Sequence, residues 1–131
     1  MSQAQRMKLA DTCIWIEALA GTPTGQRYAP LLADSQRLVV STLVIYELRK
    51  WALQNMSDEG ADQIMVVMHA VSIVAPDEST ALHAAELGRR YKLHALDALI
   101  YATALAAHAE LVTCDAHFKG LPQVDYSPKL K

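Results

Sequence analysis

The sequence predicts an α/β fold built around a parallel sheet, and three observations support that prediction. Short apolar runs alternate with longer segments of helical periodicity, which is the pattern of strands joined by crossover helices. The chain has 131 residues, a length that suits one domain with a sizeable core. No internal repeat, linker or long charged block interrupts it. We therefore expect a single domain over residues 1–131, with residues 1–6 as a flexible N-terminal extension.

The first strand and the two helices after it are predicted by an apolar run and by turn residues. An apolar strand over Met7–Ala10 precedes a helix over Thr12–Ala20, which ends at Gly21-Thr22-Pro23, a strong turn sequence. Thr24 is predicted to cap a second helix that runs to about Asp34. Pro30 argues against this helix, because a proline removes one helical hydrogen bond.

The middle of the chain predicts a strand, two helices and a second strand. Branched side chains indicate a strand over Arg37–Ser41. Thr42 then opens a helix that runs to about Met56, and Ser57-Asp58 caps another helix through Ala70. Val71–Val74 is the third short apolar run and is predicted to be a strand.

The last third of the chain predicts two helices and two strands. Asp77 or Ser79 starts a helix that ends near Tyr91. The apolar segment Ala95–Ala107 is the next helix. Two strands complete the sheet, Leu111–Cys114 and Val124–Tyr126.

The composition excludes several classes of protein. Hydrophobic residues make up 52% and charged residues 20% of the chain, which excludes a disordered protein. The net charge is −2, so any contact with nucleic acid has to use a local patch or a metal ion. Cys13 and Cys114 are too few for a disulfide framework, and no apolar run reaches the ~20 residues that span a bilayer. We expect reduced thiols and a cytoplasmic protein.

Two aspartates directly follow predicted strands. Asp11 comes after the first strand and Asp115 after the fourth. The carboxyl ends of parallel strands lie at one edge of a sheet, where α/β folds bind ligands, so we expect both carboxylates at that edge. The alternative for each aspartate is a role as a helix cap or a turn residue.

Asp97 and Glu47 interrupt apolar helix surfaces. Asp97 is the only charged residue of the helix over Ala95–Ala107, which is apolar nearly all round and should be buried. Glu47 breaks an apolar stripe in the second turn of the helix after the second strand. A buried carboxylate is normally paired, neutralised or bound to a metal. The alternatives are an exposed helix cap for Asp97 and an ion pair with Arg49, Lys50 or another basic group for Glu47.

Four carboxylates at one edge of a sheet repel one another strongly unless a cation is present. Oxygen ligands without a histidine or cysteine cluster favour a hard ion, Mg²⁺ or Mn²⁺. Such an ion activates water and neutralises the charge of a phosphate. We therefore expect phosphodiester hydrolysis at a metal site formed by Asp11, Glu47, Asp97 and Asp115.

Four segments of the chain resemble the motifs of PIN-domain ribonucleases, and specifically those of the VapC-type toxins of type II (VapBC) toxin–antitoxin pairs. The segments are Leu9-Ala10-Asp11-Thr12, STLVIYEL over residues 41–48, LDALIYA over residues 96–102 and LVTCDAHF over residues 111–118. The resemblance extends from Lys8 to Tyr126. The order and separation of the segments make it fairly specific.

The resemblance implies an α/β/α sandwich with a five-stranded, mainly parallel sheet. It implies that the four acids form the metal site of a Mg²⁺- or Mn²⁺-dependent endoribonuclease that cleaves RNA. It also implies a homodimer and inhibition by a cognate VapB-type antitoxin. The chain departs from the family at Thr12, where asparagine is common, and at Tyr91-Lys92-Leu93-His94, which lacks a frequent glycine.

Two other functions are open on the sequence alone. A receiver-type phosphoacceptor domain is also α/β, acidic and of similar length, but it needs paired acids after the first strand and a late lysine. Here Asp11 is followed by Thr12, and Lys119 falls outside a strand end. A non-catalytic interaction module would keep the acids only for metal-dependent folding. A ribonuclease cleaves RNA in a metal-dependent way and loses this activity in Asp97→Asn. Neither the receiver-type domain nor the interaction module would do so.

Further polar residues are candidates for contacts with substrate. Thr113 is either an ordinary strand threonine or a hydroxyl that holds a carboxylate or a water. His94 is interpreted as a loop histidine, with a phosphate contact as the alternative. A basic group beside the Asp97 helix is interpreted as a solvated helix face, with phosphate contact as the alternative; it consists of Arg89, Arg90 and Lys92.

Large apolar side chains exceed what one small core needs, although a core role remains the default for about half of them. We expect the part that the core does not use to form a groove for an antitoxin helix. The groove is predicted to contain Trp15, Ile16, Ile45, Trp51, Ile64, Met65 and Met68.

Overall fold

The computed structural model of the protein describes residues 6–130 and contains a five-stranded sheet. Its strands are β1 (Met7–Ala10), β2 (Leu38–Ser41), β3 (Ser72–Val74), β4 (Ala109–Thr113) and β5 (Val124–Tyr126). All neighbouring strands are parallel, in the order β3-β2-β1-β4-β5. The predicted α/β fold is therefore confirmed. Of the predicted extension over residues 1–6, only Arg6 lies within the described range.

Pairs of helices connect the first four strands. They are α1 (Thr12–Ala20) with α2 (Pro23–Leu32), α3 (Thr42–Asn55) with α4 (Asp58–His69), and α5 (Glu78–Tyr91) with α6 (Ala95–Ala106). A short 3₁₀ turn, Ala116–Phe118, follows β4. Within residues 6–130, no helix is both long and apolar enough to cross a membrane.

Both faces of the sheet are covered. Neighbouring side chains of a strand point to opposite faces, yet all four residues of β2 are buried, and Leu9 and Ala10 of β1 are fully buried too. Continuous burial of this kind is typical of a parallel sheet that lies between two layers of helices. The predicted α/β/α sandwich is confirmed.

The strand order has two consequences. The chain leaves β1 towards β2 and β3, and then returns to place β4 on the other side of β1. The gap between the carboxyl ends of β1 and β4 is therefore a topological switch point, where open α/β sheets bind ligands. The order also differs from the 2-1-3-4-5 order of flavodoxin-like folds, so the receiver-type alternative is wrong.

The start of α2 differs from the prediction. The cap is Thr22 and not Thr24, because the Thr22 hydroxyl accepts a hydrogen bond of 3.1 Å from the Gly25 N–H. Pro23 takes the first helical position, where a missing N–H does no harm. Thr24 is buried instead, and its hydroxyl accepts a hydrogen bond of 2.7 Å from the Leu130 N–H.

The limits of β4 also differ from the prediction. The strand begins two residues earlier than predicted because Ala109 pairs with Met7 of β1, and it ends at Thr113, before Cys114. The 3₁₀ turn after β4 was not among the predicted elements. The remaining boundaries agree with the prediction to within two residues.

Candidate metal centre

Asp11 and Asp115 lie on the two sides of the switch point. Asp11 is the residue after β1, and its N–H donates a hydrogen bond of 2.9 Å to the Val112 carbonyl of β4. Asp115 is separated from the end of β4 by one residue, Cys114. It caps the 3₁₀ turn, where its Oδ1 accepts a hydrogen bond of 2.9 Å from the His117 N–H. The two strands thus bring both residues to the expected edge of the sheet.

Asp11 is both a helix cap and a buried acid of the site. It is the N-cap of α1, and its Oδ1 accepts a hydrogen bond of 2.8 Å from the Thr12 N–H. Its Oδ2 accepts one of 2.8 Å from the Thr113 hydroxyl. Burial raises the pKa of Asp11 to about 6, and the negative charges of Asp97 and Glu47 add to this effect, while the two hydrogen bonds oppose it.

Thr113 holds two acidic residues in place. Its fully buried hydroxyl donates to Asp11 and accepts a hydrogen bond of 3.0 Å from the Asp115 N–H. Cys13 approaches the same hydroxyl, with its Sγ 3.5 Å away, and also accepts a hydrogen bond of 3.3 Å from the Cys114 N–H. Thr113 therefore faces the site, and both cysteines are free thiols.

Glu47 is bound by a hydroxyl and not by a cation. The Thr12 hydroxyl donates a hydrogen bond of 2.6 Å to Glu47 Oε1. Arg49 instead pairs with Asp62, at 2.8 Å, and Glu47 takes part in no ion pair within the described part of the chain. The alternative of an ion pair with Arg49 or Lys50 is therefore wrong. Thr12, which stands where the family commonly has asparagine, fixes this carboxylate.

Asp97 lies in the first turn of α6 and is not its cap. The cap is His94, whose side chain makes no capping hydrogen bond. Asp97 is partly buried, and its pKa is raised by that burial and by the charges of Asp115 and Glu47, while His117 and His94 oppose the rise. Two nearby acids and partial desolvation therefore make the negative charge of this side chain unfavourable unless a cation lies beside it.

The ligand atoms of Asp97, Asp115 and His117 lie within 4.8 Å of one another, and among the described residues they form a group that could hold a metal ion. Asp11 and Glu47 are not members of this group. The structure therefore brings two of the four predicted acids to ligand distance. The other two lie nearby, since the charge of Glu47 raises the pKa of Asp97 and the charge of Asp97 raises the pKa of Asp11.

His117 was missed by sequence reasoning. It stands two residues after Asp115, in the turn that this aspartate caps, and its Nδ1 lies 2.9 Å from Asp115 Oδ1. The available signal was this i, i+2 spacing at a strand end, but the sequence did not show that the two residues share a tight turn.

The loop before Asp97 forms without a glycine. Lys92 takes the left-handed conformation that ends α5, with φ 57°, and the Leu93 N–H donates to the Gly88 carbonyl at 3.1 Å. Around it, the side chains of Arg89, Arg90 and Lys92 are exposed. The guanidinium of Arg90 lies over the ring of Tyr91, 5.5 Å from its centre.

A groove of about 260 Å³ opens beside Glu47. Ile16, Trp51 and Leu96 give it apolar walls, and the exposed ring of Tyr46 stands at its side. The prediction therefore assigned too many residues to the groove. Three of its predicted members belong to the buried core, namely Trp15, Ile64 and Met68, and Ile45 and Met65 are not among the residues that line the groove.

The sequence and the fold both match known proteins. The sequence profile of the PIN domain family matches residues 8–123, while no curated protein sequence matches significantly. Among solved structures, a toxin–antitoxin complex from Klebsiella pneumoniae is similar, with a TM-score of 0.79, 24% identity, and 90% of this chain and 95% of that chain covered.

Two further structures have the same fold. VapBC-1 from nontypeable Haemophilus influenzae gives a TM-score of 0.71 at 24% identity, with 93% of this chain and 97% of that chain covered. VapBC2 from Rickettsia felis, bound to a DNA fragment from their promoter, gives a TM-score of 0.72 at 19% identity, with 93% of this chain and 98% of that chain covered. Because the family profile spans nearly the whole chain, this protein belongs to the PIN domain family, a family of nucleases.

Proposed function

We propose that this protein is a metal-dependent endoribonuclease that hydrolyses phosphodiester bonds of RNA, and that it acts in the cytoplasm as the toxin of a toxin–antitoxin pair. The observation that carries the proposal is the approach of Asp97 to Asp115. These carboxylates come from α6 and from the end of β4, and their ligand atoms lie within 4.8 Å at the switch point. Like charges at that distance favour a bound cation.

Each of the four acids has a role in this proposal. Asp97 and Asp115 supply direct ligands to Mg²⁺ or Mn²⁺. Asp11 and Glu47, which Thr113 and Thr12 hold by hydrogen bonds, complete the set directly or through the waters that Mg²⁺ retains. The bound ion supplies an activated water and neutralises charge on the phosphate.

Cleavage of matched RNA and DNA oligonucleotides tests the activity. We expect the RNA to be cut in Mg²⁺ or Mn²⁺, excess EDTA to abolish cleavage, and Asp97→Asn to remove it with the fold intact. Asp62→Asn is the matched control, because Asp62 is exposed on α4 and pairs with Arg49. Undiminished cleavage in EDTA would disprove the proposal. A folded protein that binds metal but cuts neither the RNA nor the DNA oligonucleotide would identify the non-catalytic interaction module instead.

The proposed partner is a cognate VapB-type antitoxin. The similar structures from Klebsiella pneumoniae and Haemophilus influenzae are by description toxin–antitoxin and VapBC complexes. The groove with Ile16, Trp51 and Leu96 lies directly beside Glu47, so an amphipathic helix seated there would carry a basic side chain into the acidic site.

We expect this chain to form a homodimer as well. Light scattering of the purified protein measures its oligomeric state.

Replacing Trp51 tests the groove. Trp51→Ala is expected to weaken the complex with the product of a small upstream reading frame by about 10-fold or more, because buried tryptophans dominate many interfaces. Leu82→Ala, at an exposed apolar residue of α5, should leave the affinity unchanged. An unchanged affinity in a folded Trp51→Ala variant would show that the antitoxin binds elsewhere.

A further inference from the structure

The imidazole of His117 stands beside two acids of the candidate metal centre. Ligand atoms of Asp97, Asp115 and His117 lie within 4.8 Å of one another. Two ligands of a single ion, each about 2.1 Å from it, are at most about 4.2 Å apart. Small side-chain rotations therefore bring the three groups onto one ion.

The backbone around His117 is held in place, although 64% of its side chain is exposed. The Asp115 side chain caps the 3₁₀ turn by accepting a hydrogen bond from the His117 N–H. The next residue, Phe118, is fully buried and packs edge-on against Tyr101, with ring centres 6.0 Å apart. The turn is thus anchored at both ends, and the imidazole is presented towards the acids rather than carried on a mobile loop.

We propose that His117 is a ligand of the divalent ion bound by Asp97 and Asp115, so that this centre has mixed nitrogen and oxygen ligands. The inference rests on the proposed metal-dependent function and adds a ligand to its four acids. Mg²⁺ takes oxygen ligands almost entirely, whereas imidazole is a ligand of transition-metal ions. The centre therefore prefers a transition-metal ion such as Mn²⁺ over Mg²⁺, and His117 is the source of that preference.

A positioning role is the competing explanation for His117. The Nδ1 atom lies 2.9 Å from Asp115 Oδ1, so the ring could hold this carboxylate by a hydrogen bond without touching the ion. His117→Asn separates the two roles, because an asparagine amide can donate to Asp115 but replaces the imidazole nitrogen by a weaker ligand. A positioning role would be rescued by asparagine, whereas a nitrogen ligand would not.

The experiment uses the full chain and Mn²⁺ alone as the probe. Free Mn²⁺ is measured by its electron paramagnetic resonance signal, and Mg²⁺ by competition against bound Mn²⁺. We expect His117→Ala and His117→Asn to weaken Mn²⁺ binding about 10- to 100-fold and Mg²⁺ binding by less than about 3-fold. Pulsed measurements on bound Mn²⁺ should detect a directly coupled ring nitrogen in the parent protein that is absent from both variants.

His94→Ala is the matched control. The ring of His94 stands edge-on to that of His117, with centres 6.1 Å apart, but it is not a member of the ligand group. This variant should keep both the nitrogen coupling and the preference for Mn²⁺. Loss of the coupling in His94→Ala and not in His117→Ala would overturn the assignment.

Two other outcomes would overturn the inference while leaving the proposed function intact. One is Mn²⁺ bound tightly without any nitrogen coupling in a protein that cuts RNA. The other is equal weakening of Mn²⁺ and Mg²⁺ binding in His117→Ala, with rescue by His117→Asn. Failure of the parent protein to bind either ion would contradict both this inference and the proposed function.

Discussion

At the scale of single residues, Asp11 is the acid whose environment is least favourable to its charge. Only 5% of its surface is exposed, and burial raises its pKa from 3.8 to about 6. The folded protein thus binds this proton more tightly than the unfolded chain does. The protonated carboxyl stabilises the fold fully below about pH 4, and that stabilisation is lost as the pH rises through about 6. The metal-free protein therefore carries a destabilising charge at neutral pH.

Asp11→Asn is expected to stabilise the metal-free protein in a pH-dependent way. The amide is neutral at every pH, so the gain at pH 8 should reach at most about 3 kcal/mol and should shrink towards zero near pH 4. Urea denaturation in EDTA at both pH values measures it. Asp125→Asn, at an exposed residue of β5, should change the stability by less than about 0.5 kcal/mol. A gain that is equal at pH 4 and pH 8 would refute the explanation by charge.

At the scale of secondary-structure elements, the close approach of α1 and α2 depends on Gly25. A Cβ atom added there would lie 2.0 Å from the Glu17 carbonyl oxygen and 2.6 Å from the Ala18 Cα. Both atoms belong to the backbone of α1 and cannot move aside as a side chain would. Because α1 begins at Thr12, which binds Glu47, the packing of these two helices also positions the site.

Gly25→Ala is therefore expected to destabilise the protein strongly, by about 3 kcal/mol or more, since overpacking forces the backbone to shift. Gly88→Ala is the matched control. A Cβ there would meet the Ala98 Cβ and the Leu93 carbonyl oxygen at an ordinary 3.5 Å, and alanine favours α5 by up to about 1 kcal/mol. Thermal unfolding of the two variants checks this. Equal melting temperatures would contradict the close approach.

At the scale of the whole molecule, the candidate centre joins distant parts of the chain. Asp11, Glu47, Asp97 and Asp115 come from four separate elements, and their mutual repulsion opposes the fold that brings them together. An ion that binds only the folded state relieves this repulsion and stabilises the whole domain.

Divalent metal should therefore raise the melting temperature. At about 100 times the dissociation constant, an ion adds about 2.7 kcal/mol, which corresponds to a shift of several degrees for a chain of this size. Differential scanning calorimetry with Mg²⁺ or Mn²⁺ and with EDTA measures the shift. Asp97→Asn, which lacks one direct ligand, should respond much less than Asp62→Asn. An identical response in the two variants would place the bound ion outside the candidate centre.

The sequence by itself determined the order and type of the elements. Apolar runs, caps and turn residues predicted every strand, and Ser57 was identified as the cap of α4 because capping is a local interaction. The same reasoning placed Asp11 and Asp115 at the ends of strands. Their convergence followed from a general property of parallel sheets, namely that the carboxyl ends of the strands share one edge.

Tertiary structure alone decided which groups meet. The partner of Glu47 is the hydroxyl of Thr12, 35 residues away in sequence, and Thr113 reaches Asp11 across 102 residues. Trp15 proved to be part of the buried core, whereas the partly buried Trp51 lines the groove. Such contacts depend on how helices pack on the sheet. Periodicity along the chain shows that a helix has an apolar face, but it does not specify what that face will touch.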